Sequence, residues 1–306
     1  MTTNGAMNAD RDGTGPVRAG QLIGSHDVLL MTLDTLRYDV AEAALEAGQT
    51  PNFARLLPGG RWERRHSPAT FTYAAHHAFF AGFLPTPASP GTHSRLFAAR
   101  FAGSATTTEA TCVLDAPDIV TGLAARGYRT ICIGGVGFFN KQTPLGSVLP
   151  GLFADSHWDE SLGVASPAST ERQVALAVER IAALPDERRV FLFVNVSAIH
   201  QPNRLFLPGA TGDCMESMAA ALAYVDAHVA RLFDALTRRA PLLAVVCADH
   251  GTAYGEEGYR GHRLAHPVVW DVPYAELVRA KGTTVNGEGV RPTSAPREHP
   301  TKSGAP

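Results

Sequence analysis

The sequence predicts an α/β fold, a three-layer α/β/α sandwich with a mostly parallel central sheet. Four short runs, Asp27–Leu33, Arg129–Ile133, Val190–Val196 and 242–248, have the near-continuous apolar character of strands buried on both faces. Amphipathic stretches of helical length lie between them, and that alternation puts helices on both sides of a parallel sheet. The chain has 306 residues, 45% hydrophobic and 18% charged, enough for one large domain with a substantial core.

In chain order, residues 1–25 are rich in Gly, Asn, Asp, Arg and Thr and carry no apolar segment, so they read as a disordered leader rather than a signal peptide. The first strand runs to Leu33 and ends in Asp34. An amphipathic helix is expected from Leu36 to Leu45, and Thr50-Pro51 opens a shorter one with proline at its first position. Residues 73–81 form a compact helical run. Residues 116–126 form a helix feeding the 129–133 strand. Helix 168–184, strand 190–196, the long helix 214–237 and strand 242–248 follow. Residues 284–306 are polar, aperiodic and rich in Pro and Gly, the composition of a disordered tail. A single domain over 26–283 is the expectation.

Composition excludes several partner classes. The net charge is −2 at pH 7 and no Lys/Arg block is present, which disfavours nucleic acid. No stretch approaches the roughly 18 apolar residues of a membrane span. Cys112, Cys132, Cys214 and Cys247 are too widely spaced for a zinc knuckle, so reduced thiols and a cytoplasmic location are expected. Gly134-Gly-Val-Gly137 follows a strand but lacks the spacing of a dinucleotide-binding loop.

The chemistry concentrates at strand ends, where open α/β sheets bind ligands. Asp34 terminates one buried strand, and Asp249-His250-Gly251 terminates another. Each residue alone has a plain explanation: a helix cap, a strand end, a core histidine. Together, two carboxylates and an imidazole form a candidate site for one divalent cation, and the donor types admit Mn, Zn, Mg or Ca. Thr72, at the start of the 73–81 helix, is either an ordinary N-cap or a nucleophile activated by helix dipole and cation. Thr70 takes its place if the helix begins earlier. His200 follows the 190–196 strand, and it joins His262 as a candidate for substrate contact or for protonating a leaving oxygen. His262 and His266 are spaced i, i+4, but Gly261 and Pro267 confine any helix there to one turn. A second cation is left open, through His200, His262 or His266. His76 and Arg37 complete the candidate set for substrate or second-metal contacts, with Arg37 also a support for the first ligand loop.

These segments resemble the alkaline phosphatase and sulfatase superfamily. Leu33-Asp-Thr-Leu-Arg-Tyr-Asp39 and Thr50-Pro-Asn-Phe-Ala-Arg-Leu56 are similar to its first metal-ligand strand and following helix. Thr72-Tyr-Ala-Ala-His76 with Gly82-Phe-Leu-Pro85 resembles its nucleophile segment. Gly127-Tyr-Arg-Thr130, His200-Gln-Pro202, Tyr224-Val-Asp226 and Asp249-His-Gly251 follow in the same order, so the likeness spans residues 27–275. More narrowly, the chain looks like compact cytosolic sulfatase-like metalloenzymes of bacterial biosynthetic gene clusters. The resemblance implies an alkaline-phosphatase-like fold with the C-terminal subdomain reduced or absent. It also implies a metal-dependent hydrolase or transferase of phosphate esters, acting through a threonine on a small anionic metabolite. The alternatives are a sulfate-ester or phosphonate hydrolase, or a catalytically silent anion-binding or scaffolding domain. The departures point away from formylglycine chemistry: threonine replaces Cys/Ser at 72, Ala74 the proline and His76 the arginine. Gly135 replaces the sulfatase lysine, with Lys141 the nearest substitute. Thr35 replaces a second aspartate, and residues 195–203 contain no acid for a second metal.

Overall fold

The computed structural model describes residues 17–82, 97–98, 112–113 and 118–286. Its main sheet has seven strands: β1 (Asp27–Leu33), β2 (Glu63–His66), β3 (Arg129–Ile133), β4 (Asp155–His157), β5 (Val190–Val196), β6 (Leu242–Cys247) and β7 (Asp271–Arg279). Their spatial order is β2-β7-β6-β1-β5-β3-β4. The β6-β1-β5-β3-β4 block is parallel throughout, and β7 runs antiparallel between β6 and β2.

Strand alternation explains the layering. Leu29, Met31 and Leu33 of β1, with Val190, Leu192, Val194 and Val196 of β5, point into one core. The helices Tyr38–Glu46, Pro51–Leu56, Ser169–Ala182 and Met215–Arg239 contribute buried side chains to that core. Val28 of β1 and Phe191 and Phe193 of β5 point the other way, into a second cluster with Phe80, Val120, Phe139 and Phe153. Thr72–Ala81 and Ile119–Ala125 supply the helices on that side. Successive residues of one strand therefore feed opposite cores, as the apolar runs require.

Expected and observed elements differ at the margins. The leader was expected to extend to residue 25, yet Ala19–Leu22 forms a helical turn and Ile23 packs against the second core. The tail was expected from 284, yet Val285 is buried and its N–H donates to Asp234 Oδ1 at 2.8 Å. Residues 1–16, 83–96 and 287–306, including the Phe83-Leu-Pro85 part of the nucleophile segment, lie outside the described residues. No helix among the described residues is long and apolar enough to cross a membrane.

Parallel pairing places the chemistry. Thr32 of β1 is in register with Asn195 of β5 and Cys247 of β6, so all three carboxyl ends open on one edge of the sheet. The chain leaves β6 for the 248–270 excursion and comes back as β7, hydrogen-bonded to the strand it left.

Candidate active site

Asp34, Asp249 and His250 converge, each fully buried, with one donor atom from each lying within 4.8 Å of the others. Their sequence separation is bridged locally. Thr35 donates its N–H to Asp249 Oδ1 at 3.1 Å and its hydroxyl to Asp34 Oδ1 at 2.8 Å. To do so it adopts φ 69°, a left-handed conformation that β-branched residues resist. Asp34 Oδ2 accepts Asn195 Nδ2 at 3.0 Å, and Asn195 is itself held by Gln173, whose Nε2 donates to the Asn195 carbonyl at 2.7 Å.

The remaining carboxylate oxygen is the test of a cation site. Asp249 Oδ2 is buried without a hydrogen-bond partner, an arrangement that costs free energy unless an ion or donor meets it. Burial, then the charge of Asp34, pushes the Asp249 carboxyl up. At Asp34 burial pushes in the same direction, but His200, His250 and the Asn195 hydrogen bond outweigh it and hold that carboxyl below its usual range. Hard oxygen donors with one imidazole, and an unmet oxygen between them, fit a divalent cation.

His250 is oriented for that role. Its Nδ1 donates to the Gly251 carbonyl at 2.8 Å, leaving the Nε2 lone pair facing the site, as ligating histidines are commonly fixed. A Cβ on Gly251 would sit 2.1 Å from the Val268 carbonyl oxygen, so only glycine lets the chain pass here. The Ser67 hydroxyl donates to the Asp249 carbonyl from the opposite side.

Thr72 is the first residue of the Thr72–Ala81 helix, with Phe71 at the N-cap position, so its hydroxyl does not cap the helix. Thr72 Oγ1 instead lies 3.2 Å from His250 Nε2, buried at the helix start. Thr70 is placed differently: its carbonyl accepts the Arg263 N–H at 2.9 Å. Asp34 is likewise no helix cap, since the following helix begins at Tyr38.

His200 and His262 gather beside this group. His262 stacks near His250 with ring centroids 4.7 Å apart, and the His200 ring lies 6.5 Å from it. His200 Nδ1 donates to the Gln201 carbonyl at 2.6 Å, which leaves Nε2 free. Burial, then the neighbouring His250 and His200, lowers His262 to about 4. A ring lowered in this way is biased toward its neutral form.

Three further candidates are engaged within the protein. His266 accepts the Val268 N–H on Nδ1 at 3.2 Å as the N-cap of Pro267–Trp270, and its Nε2 lies 3.9 Å from Glu257 Oε2. Arg37 is buried and forked between Asp39 and Glu256, at 2.5 Å to each, and so braces the first ligand loop against the 253–258 segment. His76 is wholly buried with both ring nitrogens engaged, Nδ1 by the Thr72 carbonyl and Nε2 by Thr32 Oγ1. Lys141 does not reach inward; its amine donates to the Ser156 carbonyl at the surface. Gly135 cannot be replaced by a longer residue in place, because a Cβ would meet the Asn195 carbonyl at 2.2 Å. Sequence reasoning missed Asn195, Gln173 and the bridging use of Thr35. A polar Asn in an otherwise apolar strand was the available signal for the first.

Comparison with known proteins follows the same outline. A family model described as type I phosphodiesterase/nucleotide pyrophosphatase matches residues 28–271. Comparison with curated protein sequences finds no match. Among solved structures, the C-terminal periplasmic domain of the phosphoethanolamine transferase EptC from Campylobacter jejuni is similar at 13% identity and TM-score 0.54. That match covers 83% of this chain and 79% of the other. The corresponding Escherichia coli domain, in complex with Zn, matches at 13% identity and TM-score 0.54, with 84% and 74% covered. The phosphonate monoester hydrolase of Agrobacterium radiobacter matches at 12% identity and TM-score 0.55, with 84% and 68% covered. At such identities the likeness establishes the alkaline-phosphatase-like fold.

Proposed function

The chain belongs to the type I phosphodiesterase/nucleotide pyrophosphatase family, within the alkaline phosphatase superfamily of phosphate- and sulfate-ester enzymes, and from that premise we propose that it is a metal-dependent hydrolase or transferase of phosphate esters with Thr72 as nucleophile. The observation that carries this reading is the 3.2 Å approach of Thr72 Oγ1 to His250 Nε2, beside two buried aspartates of which one oxygen has no partner.

Asp34, Asp249, His250 and the Thr72 hydroxyl would hold one divalent cation, which could be Mn, Zn, Mg or Ca by donor type. Such an ion supplies Lewis-acid chemistry, easing deprotonation of the hydroxyl and offsetting charge on the phosphoryl oxygens. Thr72 Oγ, its proton given up to water, attacks phosphorus, the bond to the leaving oxygen breaks, and the phosphoryl group rests on Thr72 until water or an acceptor alcohol takes it. His200, with both ring nitrogens protonated, donates from Nε2 to the departing oxygen while Nδ1 keeps its bond to the Gln201 carbonyl. His262 contacts the substrate, or with His200 holds a second cation; residues 195–203 contain no Asp or Glu to complete such a site, and this favours the one-cation reading.

The substrate class is a small anionic ester. Threonine at 72 and glycine at 135 leave no formylglycine and no adjacent lysine, which favours phosphate esters over sulfate esters. Free Cys132, Cys214 and Cys247 support a reducing, cytoplasmic compartment. The test is a panel of phosphomonoesters, phosphodiesters, phosphonates and sulfate esters with each metal, run on wild type, Thr72→Ala and Thr72→Ser. Loss of turnover in Thr72→Ala, partial activity in Thr72→Ser and a phosphorylated Thr72 peptide by mass spectrometry are expected. Wild-type rates in Thr72→Ala sink the covalent mechanism, and no turnover with no bound metal supports the silent anion-binding alternative.

A further inference from the structure

We propose that His76 is a positioning residue that ties the nucleophile to the cation-binding aspartate through one fixed imidazole tautomer; this rests on the reading of Thr72 as nucleophile. The contacts form a continuous buried path. His76 Nδ1 lies 2.7 Å from the Thr72 carbonyl oxygen, and His76 Nε2 lies 3.0 Å from Thr32 Oγ1. Asn195 Nδ2 reaches both Thr32 Oγ1 at 3.2 Å and Asp34 Oδ2 at 3.0 Å, and Asn195 Oδ1 accepts the Val136 N–H at 2.9 Å.

The chemistry of the groups orders the protons. A carbonyl oxygen only accepts, so Nδ1 carries the hydrogen toward Thr72. Asn195 Oδ1 accepts from a backbone N–H, so its amide nitrogen faces Thr32 and Asp34 and donates to both. The Thr32 oxygen therefore accepts from Asn195, and its own proton goes to Nε2, its other partner among the described residues. Every donor and acceptor along the path is then satisfied, a condition that favours one arrangement over its alternatives. Asp249 Oδ2, at 3.7 Å from Nδ1, is too distant to compete with the Thr72 carbonyl.

The ring is also clamped sterically. Phe79, Phe80, Phe139 and Phe193 surround it at centroid separations of 5.1–6.2 Å, three of the four in edge-on contacts. His76 lies one helical turn after Thr72, so its bond to the Thr72 carbonyl overlays the first turn of the helix. Through Thr32 and Asn195 that turn is tied to the strand tips carrying Asp34. A shift of the nucleophile relative to the aspartates thus requires breaking a buried polar path.

Two measurements test this. Heteronuclear NMR linking ring protons to ring nitrogens in the cation-free protein should show His76 protonated at Nδ1 and bare at Nε2, with Thr32→Val moving the Nε2 resonance. Protonation at Nε2 overturns the proposal. In parallel, His76→Phe keeps the aromatic packing and removes both bonds; kcat on bis-p-nitrophenyl phosphate should fall about 100-fold with KM little changed. His76→Asn, whose amide falls near the Nδ1 position, should recover more of that loss than His76→Gln, whose amide falls near Nε2. A folded His76→Phe with wild-type kcat, or rescue by Gln equal to rescue by Asn, overturns it. Thr72→Ala run alongside separates the two ideas: wild-type rates there sink the nucleophile reading, whereas a dead Thr72→Ala with an unaffected His76→Phe sinks this one alone. Should His76→Phe fail to fold, Thr32→Val and the NMR result decide.

Discussion

The backbone N–H of Thr35 donates to Asp249 Oδ1 at 3.1 Å, joining two strand tips that are 214 residues apart in the chain. Thr35 also hydrogen-bonds Asp34, so one residue holds both carboxylates in position. Thr35→Gly separates that role from fold stability. Glycine relieves a left-handed strain of about 1 kcal/mol or more while deleting one bond to a carboxylate worth about 1.5–3 kcal/mol. Melting of the cation-free protein should change little, and affinity for zinc or manganese by calorimetry should fall about 10- to 100-fold. Unchanged affinity would show that Thr35 is only a turn residue.

Gly251→Ala should damage the site through the backbone. The added carbon would collide with the Val268 carbonyl, and relief requires moving the segment that carries His250. Overpacking of this kind costs about 1–3 kcal/mol, read as a lowered urea midpoint, and metal binding should weaken in the same variant. An unaltered midpoint would mean that the 248–251 turn yields easily.

Asp27 anchors the opposite end of β1, where it is fully buried against Arg239 at 2.7 Å and Arg189 at 3.3 Å and accepts the Val190 N–H. Asp27→Ala strands the buried Arg239 guanidinium, so unfolding free energy should drop by about 3–5 kcal/mol. The specific activity of the folded fraction should be retained, because the site lies at the other end of the strands.

Glu256 gives a pH signature. Burial raises its carboxyl, but the Arg37 hydrogen bond and its backbone donors outweigh burial and bring it to about 2, below the ordinary value of 4.5. The folded state therefore releases this proton more readily than the unfolded chain. Its stabilisation is complete above about pH 4.5 and is lost as pH falls toward 2. Denaturation of Glu256→Gln should show a flatter stability profile than wild type across that window; parallel profiles would refute the assignment.

The central strands were legible because burial on both faces leaves a continuous apolar run, as in Val190–Val196. The strands at the margins were not. Glu63–His66 is fully exposed and charged, as edge strands often are, and Asp155–His157 is three residues long. Asp271–Arg279 contains Pro273, which reads against a strand; here the Pro273 carbonyl accepts the Ala248 N–H. In the candidate site, Asp34, Asp249 and His250 stood out because reactive residue types sit where apolar runs end, and Thr72 because it opens a helix. What supports them did not: Asn195, Gln173 and Thr32 act through partners distant in the chain, and no local pattern announces such contacts. His76 was visible as a residue but misread in role, since only packing shows that both its nitrogens face inward.

Because β6 and β7 are neighbours, the two stems of the 248–270 excursion are pinned side by side by the sheet itself. The outer part of that excursion is tied back at separate points, Glu256 on Arg37, Tyr254 on Asn203 and Arg263 on Thr70. An insert placed between those ties lengthens the rim of the sheet edge without pulling on the strands that end beneath it.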